Sequence, residues 1–231
     1  MLYRRILMTL LMCIGILARD RSHAQPTVWH DIQRKLHYRP HGSGFIKVDG
    51  NRRFNRALYG SNTGFRVETG DLPEFALYLP GMGGNLSFQL IRKGRVLPLI
   101  NAKNIQTVYQ PGSMIYTIND PILGGGKIEL AVMALMEGEG IIIRTTTQHL
   151  PKDLKLGIRY GGASGKKFSR DGDIGADPES SFDFKPGNGA GNVYSISKNQ
   201  FTLRFPVKKD IRQWFGIFQE QAVLTIAGTN T

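Results

Sequence analysis

Most of this chain alternates apolar and polar residues with a period of two, which is typical of strands with one buried face. The clearest case is the run 127–135, whose inward side is predicted to carry Ile128, Leu130, Val132 and Ala134. Further strands are predicted at 44–48, 65–68, 74–79, 85–91, 96–99, 105–110, 113–119, 140–148, 154–160, 192–197, 200–206 and 222–227. A single sheet of so many strands would be too wide, so we expect an all-β, two-sheet antiparallel sandwich.

Only one helix is predicted, directly before the first strand. Thr27 can cap it, and the apolar residues Trp29, Ile32 and Leu36 recur at helical spacing. Pro40 is expected to end it.

Glycine and proline mark the predicted turns. Lys93-Gly94 and Gln110-Pro111-Gly112 are each expected to close a hairpin. The stretch 161–191 is rich in glycine and polar residues and is predicted to be a long loop, interrupted by one short strand at 182–185.

The N-terminus has the pattern of a secretory signal peptide. Arg4 and Arg5 precede an apolar run at residues 6–18, and Ser22-His23-Ala24 places small residues at a cleavage site. The predicted domains are therefore a signal peptide, 1–24, and one β-sandwich, 25–231. The run is too short to favour the alternative of a retained membrane anchor, so we expect no stable membrane span. The predicted location is the periplasm, the cell surface or the medium.

Charge and cysteine content exclude some functions. The chain has 30 Lys+Arg against 18 Asp+Glu, and its single cysteine, Cys13, lies in the predicted signal. The mature chain would therefore carry no disulfide and no thiolate nucleophile. The positive charges are scattered along predicted strands and turns without a nucleic-acid-binding motif, so an acidic glycan is a better candidate partner than nucleic acid.

Three acidic residues are the candidate catalytic groups: Glu68, Asp71 and Glu74. Glycoside hydrolysis needs two carboxylates on either side of one bond. The alternative is structural, because Glu74 begins an apolar strand and is favoured as a buried partner of Arg56 or Arg66.

A second acidic group lies in the long loop and comprises Asp171, Asp173, Asp177 and Glu179. Oxygen ligands spaced in this way in a glycine-containing loop can bind Ca²⁺. Turn formation, capping or contact with a glycan would equally explain them.

Aromatic and polar side chains supply candidate substrate contacts. Tyr59 and Trp214 neighbour polar residues or glycine and are expected to stack on sugar rings. Asn62 and Arg66 are predicted to add polar contacts to the substrate.

Three stretches, 53–60, 70–85 and 161–182, resemble the signature runs of a Bacteroidetes family of unknown function. In that family they belong to the N-terminal β-sandwich of large exported proteins predicted to be glycoside hydrolases. The resemblance implies a galactose-mutarotase-like supersandwich followed by a helical (α/α)6 barrel that carries the general acid.

These observations leave three functional hypotheses. The first is a sandwich module of a polysaccharide-degrading glycoside hydrolase system, not catalytic alone because the helical barrel would lie beyond residue 231. The second is a free-standing carbohydrate-binding protein. The third is a complete sandwich enzyme that acts through Glu68, Asp71 or Glu74.

Overall fold

A computed structural model describes five parts of the chain, and the chain divides into two compact units, Met1–His37 and Tyr38–Thr231. The described residues are 28–29, 32–33, 36–79, 82–162 and 179–227. The predicted signal peptide lies outside them. Among the described residues, no helical segment has the length and apolar character that crossing a membrane requires.

In the first unit, the predicted helix is wrong. Val28–Trp29 (β1) and Ile32–Gln33 (β2) form a short antiparallel pair in which Trp29 lies opposite Ile32. Valine, tryptophan and isoleucine favour strands, and a helix of this length is marginal without tertiary support.

The second unit contains strands β3 to β17, all paired antiparallel. Their bounds are Arg39–His41 (β3), Gly44–Val48 (β4), Arg56–Leu58 (β5), Arg66–Thr69 (β6), Glu74–Leu79 (β7), Met82–Arg92 (β8), Arg95–Pro98 (β9), Asn104–Gln110 (β10), Ser113–Asn119 (β11), Lys127–Ala134 (β12), Ile141–Gln148 (β13), Lys155–Gly162 (β14), Val193–Ser197 (β15), Gln200–Val207 (β16) and Asp210–Ile217 (β17). Short 3-10 turns lie at Leu99–Asn101, Pro121–Leu123, Glu179–Phe182 and Pro186–Gly189.

These strands form three sheets. The first has the order β13-β12-β11-β10-β4-β3, and the second has the order β14-β8-β7-β6-β5 with β9 also paired to β8. The third is the three-stranded sheet β15-β16-β17. The all-β antiparallel prediction is confirmed, with a third small sheet added to the two expected.

The inward faces of all three sheets share one core, as a sandwich requires. Phe75 of the second sheet contacts Tyr116 of the first at a ring-centroid distance of 5.6 Å, and Leu203 and Phe205 of the third sheet belong to the same cluster. The predicted inward side of β12 is confirmed, because all four side chains predicted to face inward are buried.

The second sheet is covered on both faces. Phe75, Leu77 and Leu79 of β7 point into the shared core, whereas Ala76 and Tyr78 belong to a separate cluster on the opposite face. We call that opposite face the outer face. Its cluster is completed by Phe54 and Phe182, whose ring centroids are 5.1 Å apart.

The two predicted hairpin turns are confirmed. Lys93 and Gly94 both have positive φ, as the two-residue turn between β8 and β9 requires. Gly112 has φ +78° between β10 and β11.

Two predicted strands are wrong. Residues 222–227 belong to no strand, and Val223 there is 90% exposed. Residues 182–185 also belong to no strand, because Phe182 ends a 3-10 turn and Asp183 to Lys185 follow it without a partner strand.

Candidate binding cleft on the outer face of the second sheet

A partly buried ion-pair cluster lies at one end of the outer face. The Arg53 guanidinium donates from Nε to Glu74 Oε2 at 2.8 Å and from Nη2 to Glu74 Oε1 at 2.9 Å. Its remaining terminal nitrogen donates to Asp183 Oδ1 at 2.8 Å. The Glu74 side chain is only 5% exposed, whereas that of Asp183 is 38% exposed. The two carboxylates raise the pKa of Arg53, so it stays charged.

The strand register explains why Glu74 lies there. Glu74 and Ala76 are on the same side of β7, and Ala76 lies opposite Asn85 on β8. Asn85 therefore also faces outwards, and its Nδ2 donates to Glu74 Oε1 at 2.7 Å. Glu74 is thus held by donors from two side chains, which is the arrangement that a buried carboxylate needs.

The structural interpretation of Glu74 is supported, but its predicted partners are wrong. Arg53, not Arg56 or Arg66, pairs with Glu74. Arg66 donates from Nε to Glu68 instead. Arg56 donates to the backbone carbonyl of Asn55, and its guanidinium lies 4.7 Å from the centre of the Tyr38 ring.

A cleft of about 390 Å³ opens beside this cluster, which we call the polar cleft. Its floor is a row across three strands, because Ser87 lies opposite Glu74 on one side and opposite Arg159 on the other. Its other polar lining groups include Gln89, Asn101 and Asp183.

One wall of the polar cleft is aromatic. The Arg159 guanidinium lies 4.2 Å from the centre of the Phe184 ring. The same ring covers Gly161, where an added Cβ atom would lie 3.1 Å from it. Because Gly161 has no side chain, the Phe184 ring can lie directly against the outer face at this position.

Glu68 lies on the same face but has fewer hydrogen-bond partners than Glu74. It is fully buried, and its Oε1 accepts from Arg66, whose guanidinium lies 3.8 Å from the centre of the Tyr78 ring. Its Oε2 finds no hydrogen-bond partner among the described residues. Burial outweighs the opposing effect of Arg66 and raises the pKa of Glu68 from 4.5 to about 7.

Asp71 is part of the scaffold. Its carboxylate accepts from the Tyr38 hydroxyl at 2.7 Å and from the Arg52 backbone N–H at 3.2 Å. Its backbone carbonyl accepts from the Thr107 hydroxyl at 2.7 Å, which connects it to the first sheet. Burial and the neighbouring carboxylate raise the pKa of Tyr38.

The predicted substrate contacts do not converge on one site. Tyr59 is 64% exposed and Asn62 is also exposed, and neither lines the polar cleft. Trp214 is half-buried and packs edge-on against Phe65 and Phe205. It lines a separate, mainly apolar groove of about 400 Å³.

Of the four predicted calcium ligands, only Glu179 is among the described residues. The other three, Asp171, Asp173 and Asp177, lie outside them. Glu179 Oε1 accepts from the backbone N–H of Arg53 at 3.1 Å, which fixes the loop that carries that arginine. In the described part of the chain, no group of three or more His, Cys, Asp or Glu side chains is placed to hold a metal ion.

Sequence reasoning predicted none of the polar groups that line the cleft except Glu74, and among the residues it missed are Arg53, Asn85, Arg159 and Phe184. Arg53 is the first residue of one of the three signature runs, which is a signal that could have found it. Asn85 ends another run. Arg159 and Phe184 carry no comparable mark in the sequence, because they meet only through the fold.

Comparison with protein families identifies one match. Residues 79–231 match the family described as Domain of unknown function (DUF4450). The chain belongs to the DUF4450 family. The matched region includes Asn85, Arg159 and Asp183, whereas Arg53 and Glu74 lie before it. Searches of curated proteins and of solved structures find no match.

Proposed function

We propose that this DUF4450 chain is a carbohydrate-binding β-sandwich module of a polysaccharide-degrading glycoside hydrolase system and that it is not catalytic alone. The observation that carries the proposal is the polar cleft. Its volume of about 390 Å³ lies in the range of about 300–1,000 Å³ that is usual for small-molecule sites. The resemblance to exported Bacteroidetes proteins sets the proposed context, with a helical (α/α)6 barrel as partner and the periplasm or cell surface as location.

The chemistry of the cleft suits a sugar. A saccharide presents many hydroxyl groups, each of which donates and accepts hydrogen bonds. Ser87, Gln89 and Asn101 supply donors and acceptors of the same kind, and Asp183 supplies a partly exposed acceptor. Phe184 adds a ring against the cleft, and an aromatic ring offers the apolar area that sugar rings also carry.

The state of the carboxylates supports binding rather than hydrolysis. Glu74 is occupied by Arg53 and Asn85, and Asp71 by Tyr38 and Arg52. Glu68 is fully buried. Hydrolysis requires two carboxyl groups that both reach the scissile bond. None of the three predicted catalytic residues is free and exposed in this arrangement.

Calorimetric titration of the purified chain with a panel of oligosaccharides tests the proposal. We expect at least one ligand to bind and Gln89→Leu to weaken it by roughly tenfold or more, because Gln89 lines the cleft and its amide is lost. The control is Tyr59→Ala, which removes an exposed ring outside the cleft and should leave affinity unchanged. The proposal would be overturned if no oligosaccharide bound, or if Tyr59→Ala lost binding while Gln89→Leu kept it.

A complete enzyme is the second candidate, favoured by the raised pKa and unpaired oxygen of Glu68. A general acid needs such a pKa. Release of reducing sugar by the wild-type chain, abolished by Glu68→Gln without loss of stability, would establish that the chain is an enzyme.

The Glu74 carboxylate has a structural role in the ion-pair cluster. Glu74→Gln should therefore lower the free energy of unfolding by about 2–4 kcal/mol, because Arg53 loses its main partner.

A further inference from the structure

We infer that the polar cleft selects an acidic saccharide and that Arg159 pairs with its carboxylate. This inference rests on the proposed carbohydrate-binding function and adds the class of sugar. It comes from the distribution of charge among the arginines of the second sheet and the segments that contact it.

Arg159 has no acidic partner among the described residues, which distinguishes it from three other arginines of this region. Arg56 also has none, but it does not line the polar cleft. Arg53 binds Glu74 and Asp183, Arg66 binds Glu68, and Arg92 binds Asp153. In the described part of the chain, no carboxylate lies within ion-pairing distance of Arg159, which is exposed and lines the cleft. It therefore offers the cleft a guanidinium that no described carboxylate contacts.

Within the described part of the chain, no hydrogen bond uses the guanidinium N–H groups of Arg159, whose one described contact is with the Phe184 ring. A guanidinium above a ring uses its face, while its N–H groups point outwards in its own plane. Those N–H groups match the two oxygens of a carboxylate in a bidentate pair. Phe184 also lies against Gly161, which is on the same strand as Arg159. The ring therefore restricts where the Arg159 guanidinium can lie.

The acids of the cleft belong to a separate ion-pair cluster. Glu74 and Asp183 both bind the Arg53 guanidinium, so two carboxylates and one guanidinium leave one formal negative charge there, and neither carboxylate pairs with Arg159. Strand spacing places the Cα atoms of Glu74 and Arg159 about 10 Å apart on either side of Ser87. A sugar ring on Ser87 can then direct its carboxylate to Arg159 and its hydroxyl groups to Asp183.

The charge of the whole molecule favours the same class of ligand. The formal net charge is +12, so the protein attracts polyanions at low ionic strength. Lys155 lies on the same strand and the same side as Arg159, four residues away. An acidic chain that leaves the cleft along β14 therefore meets a second positive charge.

A matched pair of ligands tests the inference: oligogalacturonate and the same oligosaccharide with its carboxylates methyl-esterified. The ester removes the charge and keeps the sugar. We expect wild type to bind the acid roughly tenfold or more tightly than the ester and Arg159→Gln to remove that difference. The control is Arg144→Gln, which makes the same change of charge at an exposed position on the first sheet and should keep the difference.

The outcomes separate this inference from the proposed function. Equal binding of acid and ester by wild type would overturn the inference and leave the proposed function standing. Retention of the difference in Arg159→Gln would remove Arg159 from the site. Stronger binding of a sulfated oligosaccharide than of oligogalacturonate would overturn the assignment of a carboxylate. No binding of any saccharide would overturn both proposals.

Discussion

At the scale of single residues, the outer face of the second sheet contains two buried glutamates that differ in their hydrogen bonds. Glu74 has a bidentate arginine and an amide donor. Glu68 has one arginine contact and one oxygen without a partner. A buried carboxylate is stabilised as an ion only when its hydrogen bonds replace those it made to water. Burial therefore raises the pKa of Glu68, whose Oε2 lacks such a bond among the described residues, and favours its protonated state.

The titration of Glu68 should make stability depend on pH. Its pKa is about 7 in the folded protein against 4.5 ordinarily, so between these values only the folded state keeps the proton. The free energy of unfolding should therefore fall as pH rises from about 4.5 to 7, by up to roughly 3 kcal/mol. Urea denaturation from about pH 4 to pH 8 measures this.

Glu68→Gln serves as the control for that measurement, because the amide keeps the shape and does not titrate. The difference in unfolding free energy between wild type and Glu68→Gln should change across this interval and become constant above it. If the two proteins instead gave parallel curves, Glu68 would titrate normally in the folded state.

The sequence predicted the site residues only in part. The ion-pair role of Glu74 was favoured because a charged residue at the start of an apolar strand needs a buried partner. Its partner was predicted wrongly, because Arg53 precedes β5 and reaches β7 through the fold rather than through strand pairing. Sequence spacing contains no information about such a contact.

At the scale of elements, the turn between β10 and β11 tests how much the backbone conformation of a hairpin contributes to the stability of the fold. Gly112 has φ +78°, and a Cβ atom there would contact nothing within 4 Å. Gly112→Ala should lower the free energy of unfolding by about 1–2 kcal/mol, because an alanine is strained in that region without any clash. Thermal and urea denaturation would measure it.

Gly138→Ala is the matched control for the turn. Its Cβ atom would also contact nothing within 4 Å, and Gly138 does not have positive φ. The substitution should therefore leave stability unchanged or raise it by up to about 1 kcal/mol. Equal losses in the two variants would mean that the cause lies outside the backbone conformation at position 112.

Alternation predicted most strands well because most have one buried face. It missed β17, whose exposed side carries Ile211, Phe215 and Ile217 while Arg212 and Trp214 lie on the other side. Apolar residues therefore lie on both sides of β17, so alternation does not mark it as a strand with one buried face. The run 222–227 shows the opposite failure, because alternation without a partner strand makes no sheet.

At the scale of the whole molecule, stability should depend on the core shared by the sheets. Phe75 is fully buried and contacts Phe88 and Tyr116. Phe75→Ala should lower the free energy of unfolding by about 3–5 kcal/mol. Phe215→Ala is the control, because Phe215 is 73% exposed, and it should change stability by no more than about 0.5 kcal/mol. Comparable losses would argue against a common core.

The contact between Arg53 and Asp183 has a consequence for the order of folding. The two residues are separated by 130 positions. Strands β5 to β9 are consecutive in the sequence and can pair through short loops, whereas Asp183 and the aromatic wall lie beyond β14. Closing such a long loop costs more entropy than forming a local hairpin. The polar cleft should therefore be completed late in folding, after the strands that form its floor have paired.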